Sequence, residues 1–116
     1  MKRMLRCVFV LPLILATFAH AQSSQKVIEI HAKRFSFTPA EITLVKGETV
    51  TLALTADDST HGLSIPELNV NVTLNKGKTV KVDVTPTKTG TFNGQCNHFC
   101  GVGHGSMLFK VTVNDK

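Results

Sequence analysis

Residues 41–55 read EITLVKGETVTLALT. It holds two runs of β-branched and aliphatic residues broken at Lys46-Gly47. In the second run Val50, Leu52 and Leu54 fall on one face, and Thr49, Thr51 and Ala53 on the other. Period-two alternation of this kind marks a strand with one face buried, and Lys-Gly between two such runs marks a turn. The same grammar recurs on both sides. KVIEIHA (26–32) reads as a strand, KTVKVDVT (78–85) sets Val80, Val82 and Val84 inward against Lys81 and Asp83, and MLFKVTV (107–113) aligns Phe109, Val111 and Val113. Turn signals fall again at Lys76-Gly77 and Thr89-Gly90. No segment shows helical periodicity. Short strands at even spacing predict an all-β chain built as an antiparallel sandwich or barrel.

The chain opens MKRMLRCVFVLPLILATFAHAQ. Lys2, Arg3 and Arg6 precede an apolar run from Cys7 to Ala19, and Ala19-His20-Ala21 is a small-x-small cleavage pattern. That is the composition of a secretory signal peptide over residues 1–21, with an apolar run short for a membrane span. Residues 22–116 are then the mature domain, periplasmic or secreted, with no membrane span after cleavage. A domain of this size carries one modest core and is expected to be monomeric. All eight acidic residues lie beyond the leader while three of the thirteen basic residues lie within it, so the net charge falls from +5 to +2. So small a balance gives no reason to expect a nucleic-acid partner.

Cleavage also removes Cys7, Met1 and Met4. Every remaining sulfur, Cys96, Cys100 and Met107, then falls in QCNHFCGVGHGSM (95–107). From Cys96 the spacing is Cys at +4, His104 at +8 and Met107 at +11, between one strand ending near Cys96 and another beginning near Met107. Gly101, Gly103 and Gly105 allow such a loop to fold tightly on itself. His61, just beyond strand 49–55, is a further candidate for the same end of the sandwich. Thiolate, imidazole and thioether form a soft donor set, which favours copper or zinc over magnesium or calcium. Zinc would take Cys96, Cys100, His104 and His61 but gives no reason for Met107. A weak axial thioether suits copper. A plain Cys96–Cys100 disulfide is the remaining alternative for two cysteines in an oxidising compartment.

The segment TFNGQCNHFCGVGHGSM (91–107) resembles the copper-binding segment of cytochrome c oxidase subunit II, through Phe92, Gly94, Gln95, Cys96, Cys100, Gly101, His104 and Met107. DSTHGLSIPEL (58–68) is similar to the same family's upstream segment at Asp58, His61, Pro66 and Leu68. Nitrous oxide reductase shares the motif. The resemblance implies a cupredoxin-like Greek-key β-sandwich or barrel carrying a dinuclear copper centre of the CuA type. It implies that Cys96 and Cys100 bridge two coppers, that His61 and His104 bind one copper each, and that Met107 is a weak axial ligand. The other copper would take the backbone carbonyl of His98.

The family usually has glutamate at position 98, where its side chain serves a magnesium site. His98 suits that role poorly, because magnesium prefers hard oxygen ligands. The family's aromatic electron-entry residues are also missing, with Leu63 two past His61 and no tryptophan in the chain. The expectation is therefore a free-standing relative and not an enzyme in its own right. It would carry single electrons to or from a periplasmic partner such as a cytochrome. The alternative is a copper-handling protein that stores copper or delivers it to an oxidase or another acceptor. No serine nucleophile sits beside a candidate base, so no independent catalytic chemistry is expected.

Overall fold

A computed structural model describes residues 25–116; the expected signal peptide, residues 1–21, lies outside the described residues. Nine strands follow in chain order: β1 (Lys26–Lys33), β2 (Ser36–Thr38), β3 (Glu41–Val45), β4 (Val50–Ala56), β5 (His61–Ile65), β6 (Val70–Leu74), β7 (Thr79–Val84), β8 (Gly90–Gln95) and β9 (Leu108–Asn114). Among the described residues the only helical turns are short 3₁₀ turns at Pro66–Leu68 and His104–Ser106. No helix among them is long and apolar enough to cross a membrane.

Two sheets face each other, one ordered β2-β1-β4-β7 and the other β3-β9-β8-β5-β6. The alternation in 41–55 becomes one side of the core: Val50, Leu52, Leu54 and Ala56 are all buried. Ala53 on the opposite face is buried too, because β4 is flanked by both β1 and β7. On β9, Phe109, Val111 and Val113 face the same core, as their spacing requires. The ring of Phe109 meets Phe37 of β2 edge-on, 5.7 Å between centroids, which joins the two sheets near one end. The turns at Lys46-Gly47 and Lys76-Gly77 fall where the sequence places them, with φ of 81° at Gly47 and 73° at Gly77, values that glycine adopts without steric cost.

The all-β sandwich is as expected, but its sheets are mixed rather than purely antiparallel. β1 pairs parallel with β4, Ile28 opposite Leu52 and Ile30 opposite Leu54. β3 pairs parallel with β9, Ile42 opposite Val111 and Leu44 opposite Val113. Parallel neighbours need a crossover connection. Here β2 and β3 provide it, carrying the chain from one sheet to the other and back between β1 and β4. Side-chain alternation is the same in both directions, so the sequence cannot show this.

The topology gathers the candidate ligands at one end. β8 and β9 are adjacent and antiparallel, Gln95 opposite Leu108, so the intervening loop must start and finish at the same edge of the sheet. β5 runs beside β8 with a single bridge, Ser64 opposite Gln95. Extending that antiparallel register by three residues brings His61 beside residue 98, within the loop.

Candidate metal centre

His61 begins β5 and is fully buried. Cys96 and Cys100 are buried and free, and one ligand atom from each of His61, Cys96 and Cys100 lies within 4.8 Å of the others. The two sulfurs stand 3.9 Å apart. The thioether of Met107, itself fully buried, lies 3.9 Å from Cys100 Sγ. His104 is half-buried, its Nδ1 3.7 Å from Cys100 Sγ. The carbonyl oxygen of His98 lies 3.2 Å from Cys96 Sγ, while the His98 side chain is exposed. His61, Cys96 and Cys100 thus meet in one place, with His104 and Met107 beside Cys100 and the His98 carbonyl beside Cys96.

The loop keeps its shape through its own backbone. Cys96 N–H donates to the Met107 carbonyl at 3.1 Å, closing the loop where it leaves the sheet. His104 N–H donates to Gly101 O, and Met107 N–H to His104 O, which forms the 3₁₀ turn that holds the His104 ring toward Cys100. The Ser106 hydroxyl donates to Gly103 O at 2.9 Å. The positive φ of Gly101, 140°, turns the chain after Cys100.

His61 is set up as a ligand by its neighbours. Its Nε2 lies 2.7 Å from Asp58 Oδ1 and 3.2 Å from the Ser59 hydroxyl. With Nε2–H donated to the carboxylate, the lone pair falls on Nδ1, the tautomer that suits metal binding through Nδ1. Nδ1 is buried and has no hydrogen-bond partner. A buried ring nitrogen without a partner is costly, and a metal ion removes that cost. Burial alone would raise the Asp58 carboxyl. The Arg34 N–H and the His61 ring both hydrogen-bond it, and the Arg34 charge adds, so its pKa is brought down to about 2. Asp58 is therefore a carboxylate wherever the protein is folded near neutral pH.

Burial pushes the Cys100 thiol above its ordinary value, and the hydrogen bond and charge of Cys96 push the same way, against Arg34. A thiol raised in the fold stabilises the metal-free state below its ordinary pKa, and that contribution is lost as pH rises through the raised value. A metal must displace this proton. Copper affinity is therefore expected to strengthen from acidic to mildly alkaline pH in a competition titration against a chelator of known pH dependence. A flat profile contradicts thiolate ligation.

Several residues around the site give no signal in the ligand spacing. HAKRF (31–35) reads as a solvated basic face, and His31 is indeed exposed, 2.9 Å from exposed Asp57. Arg34, by contrast, donates from Nε to the Cys100 carbonyl at 2.9 Å. Phe35 lies against Gly101 and Gly103. Asn97 donates to Asn71 Oδ1 at 2.6 Å and lies over Gly62, where an added Cβ would overlap Asn97 Oδ1 and stand 2.9 Å from the Val72 carbonyl. Gly62→Ala must push Asn97 and the start of the loop away from β5. The expected cost is about 1–3 kcal/mol of stability, with weaker metal binding, read by urea unfolding and metal titration. The glycine beside His61 is the one sequence signal that could have pointed to this close approach.

The chain belongs to the cupredoxin-like domain family, whose match covers residues 5–108. It is 37% identical over 90 residues to nitrous-oxide reductase of Cupriavidus necator, covering 74% of this chain and 14% of that protein. It is 41% identical over 70 residues to a probable cytochrome c oxidase subunit 2 of Streptomyces coelicolor, covering 60% of this chain and 22% of that one. The chain therefore spans less than a quarter of the length of either relative. The fold is also that of the periplasmic domain of subunit II of cytochrome oxidase from Bradyrhizobium japonicum, with a TM-score of 0.72 at 18% identity over 84% of this chain and 89% of that one.

Proposed function

We propose that the protein is a one-electron carrier holding a pair of copper ions in a CuA-type centre. His61, Cys96, Cys100, His104, Met107 and the His98 carbonyl would hold the metal. The observation that carries this reading is the buried, partnerless Nδ1 of His61, facing two free cysteine sulfurs that stand 3.9 Å apart. A single-copper site would use one thiolate and leave the second beside it, idle and open to oxidation. The similarity to oxidase subunit 2 and to nitrous-oxide reductase supports copper and electron transfer as the class of role.

Bound copper would supply the one-electron redox couple, with the thiolates of Cys96 and Cys100 among its donors. The protein's part is to keep the ligand positions fixed in both oxidation states, because movement on electron transfer raises the barrier. Strands β5, β8 and β9 anchor the loop ends, and Asp58 fixes the His61 ring. The buried surroundings of Cys96, Cys100 and Met107 exclude water and help set the potential. Residues 1–21 would direct the chain out of the cytoplasm, leaving residues 22–116 as a monomeric periplasmic or secreted domain. The electron partner would be a carrier such as a c-type cytochrome.

The delivery reading predicts a different behaviour. Copper that is to be handed over needs ligands that an acceptor can reach, and here His61, Cys96, Cys100 and Met107 are buried while His104 is half-buried. Rapid mixing of the copper-loaded protein with a reduced c-type cytochrome tests the choice. Electron exchange with copper retained is the expected result. Passage of copper to a cuprous acceptor without cytochrome oxidation contradicts it.

A further inference from the structure

The β1–β2 hairpin turns on two residues, Arg34 and Phe35, between Lys33 and Ser36, which pair directly. Both residues of this tip reach the candidate metal centre, in three contacts. Arg34 N–H donates to Asp58 Oδ2 at 2.8 Å, and Asp58 holds His61 through its other oxygen. Arg34 Nε donates to the Cys100 carbonyl at 2.9 Å. The Phe35 ring lies so close over the loop that a Cβ added at Gly101 would come within 2.9 Å of it, and one at Gly103 within 2.5 Å. These two glycines are thus bare on the side that faces the ring. Phe35 remains 38% exposed because only part of it is covered by the loop.

We propose that the Arg34–Phe35 turn is a clamp that positions the metal centre, tying the His61 half and the Cys100 half to one hairpin tip. This rests on the copper reading of the site, and it adds two residues that touch no metal. The clamp acts in two ways. It holds the loop 100–107 in the ligand-ready shape before metal enters. It also places a guanidinium charge beside the backbone of a bridging cysteine. A nearby positive charge stabilises the centre after it gains an electron, so it raises the reduction potential. Arginine suits both tasks, since its charge is permanent and its donors are rigidly disposed. The turn lies outside the two ligand segments in sequence and is brought to them by the pairing of β1 with β4.

The test uses the full mature domain and three variants, Arg34→Leu, Arg34→Lys and Phe35→Ala. Amide hydrogen exchange of residues 100–107 is measured first on the metal-free protein. Loss of one charge-assisted bond in Arg34→Leu, or of the ring in Phe35→Ala, is expected to speed loop exchange roughly tenfold while strand β4 is unaffected. On the copper-loaded protein, Arg34→Leu is expected to lower the reduction potential and to release copper roughly tenfold faster to a chelator. Arg34→Lys restores the potential, because the charge returns, and restores release only in part, because the fork geometry does not. A residue serving fold stability alone would shift the melting temperature and leave the potential where it was. Wild-type loop exchange or a wild-type potential in Arg34→Leu overturns the clamp. If the native chain binds no copper, the copper reading fails, and loop exchange in the metal-free protein still decides whether the clamp exists.

Discussion

Cys96→Ser is expected to abolish the proposed two-copper centre, reducing the copper content from the proposed two ions per chain to one or none and weakening affinity by more than about 100-fold. Cys96 is buried, 3.9 Å from Cys100 Sγ and 3.2 Å from the His98 carbonyl, so its sulfur is one of the donors gathered at the site. A serine hydroxyl is a hard donor that stays protonated near neutral pH and does not bridge two soft ions. Losses from changing residues that merely orient ligands are typically 10–100-fold, and loss of a bridging ligand is expected to exceed them. Metal analysis after gel filtration checks the result. A variant that keeps the native spectrum and copper content would make Cys96 a bystander.

Phe109→Ala is expected to cost about 3–5 kcal/mol of stability in the metal-free protein. Phe109 is 1% exposed, stands opposite Gly94 across β8, and meets Phe37 edge-on at 67° between ring planes. Removing the ring opens a cavity between the two sheets at the end of β9 nearest Met107. A domain of this size has about 5–15 kcal/mol in total, so the variant is expected to be close to unfolding without metal. Copper binding adds free energy to the folded state alone, and the loaded variant should recover much of the loss. Urea unfolding with and without copper reads both effects. A loss under about 1 kcal/mol would mean that the ring does not bridge the two sheets.

The fold was legible where one strand face is buried and the other wet. Val50, Leu52 and Leu54, Val80, Val82 and Val84, and Phe109, Val111 and Val113 all carry their alternation into the structure. It was not legible in HGLSI (61–65), where four of the five residues are buried, leaving no alternation to read. Asn97 covers Gly62 from outside, which is part of why this strand has no wet face. Strand direction was hidden too, since parallel and antiparallel strands share the same side-chain period. The candidate ligands were legible because four of them are local in sequence and the fifth side chain opens a neighbouring strand. Arg34, Phe35 and Asn97 were not, because their roles arise from a hairpin tip and a loop start that only the tertiary fold brings to the site. His98 divides between the two cases. Its carbonyl lies beside Cys96 as the family pattern implies, and its imidazole stands exposed where the family usually has glutamate.

As a dinuclear centre, the site would hold two coppers per chain through Cys96 and Cys100. Electron paramagnetic resonance of the reconstituted protein, with copper counted on the same sample, tests it most directly. Two coppers per chain are expected, with a hyperfine pattern in which one unpaired electron is shared equally by both nuclei. One copper per chain with the hyperfine pattern of a single nucleus would contradict it.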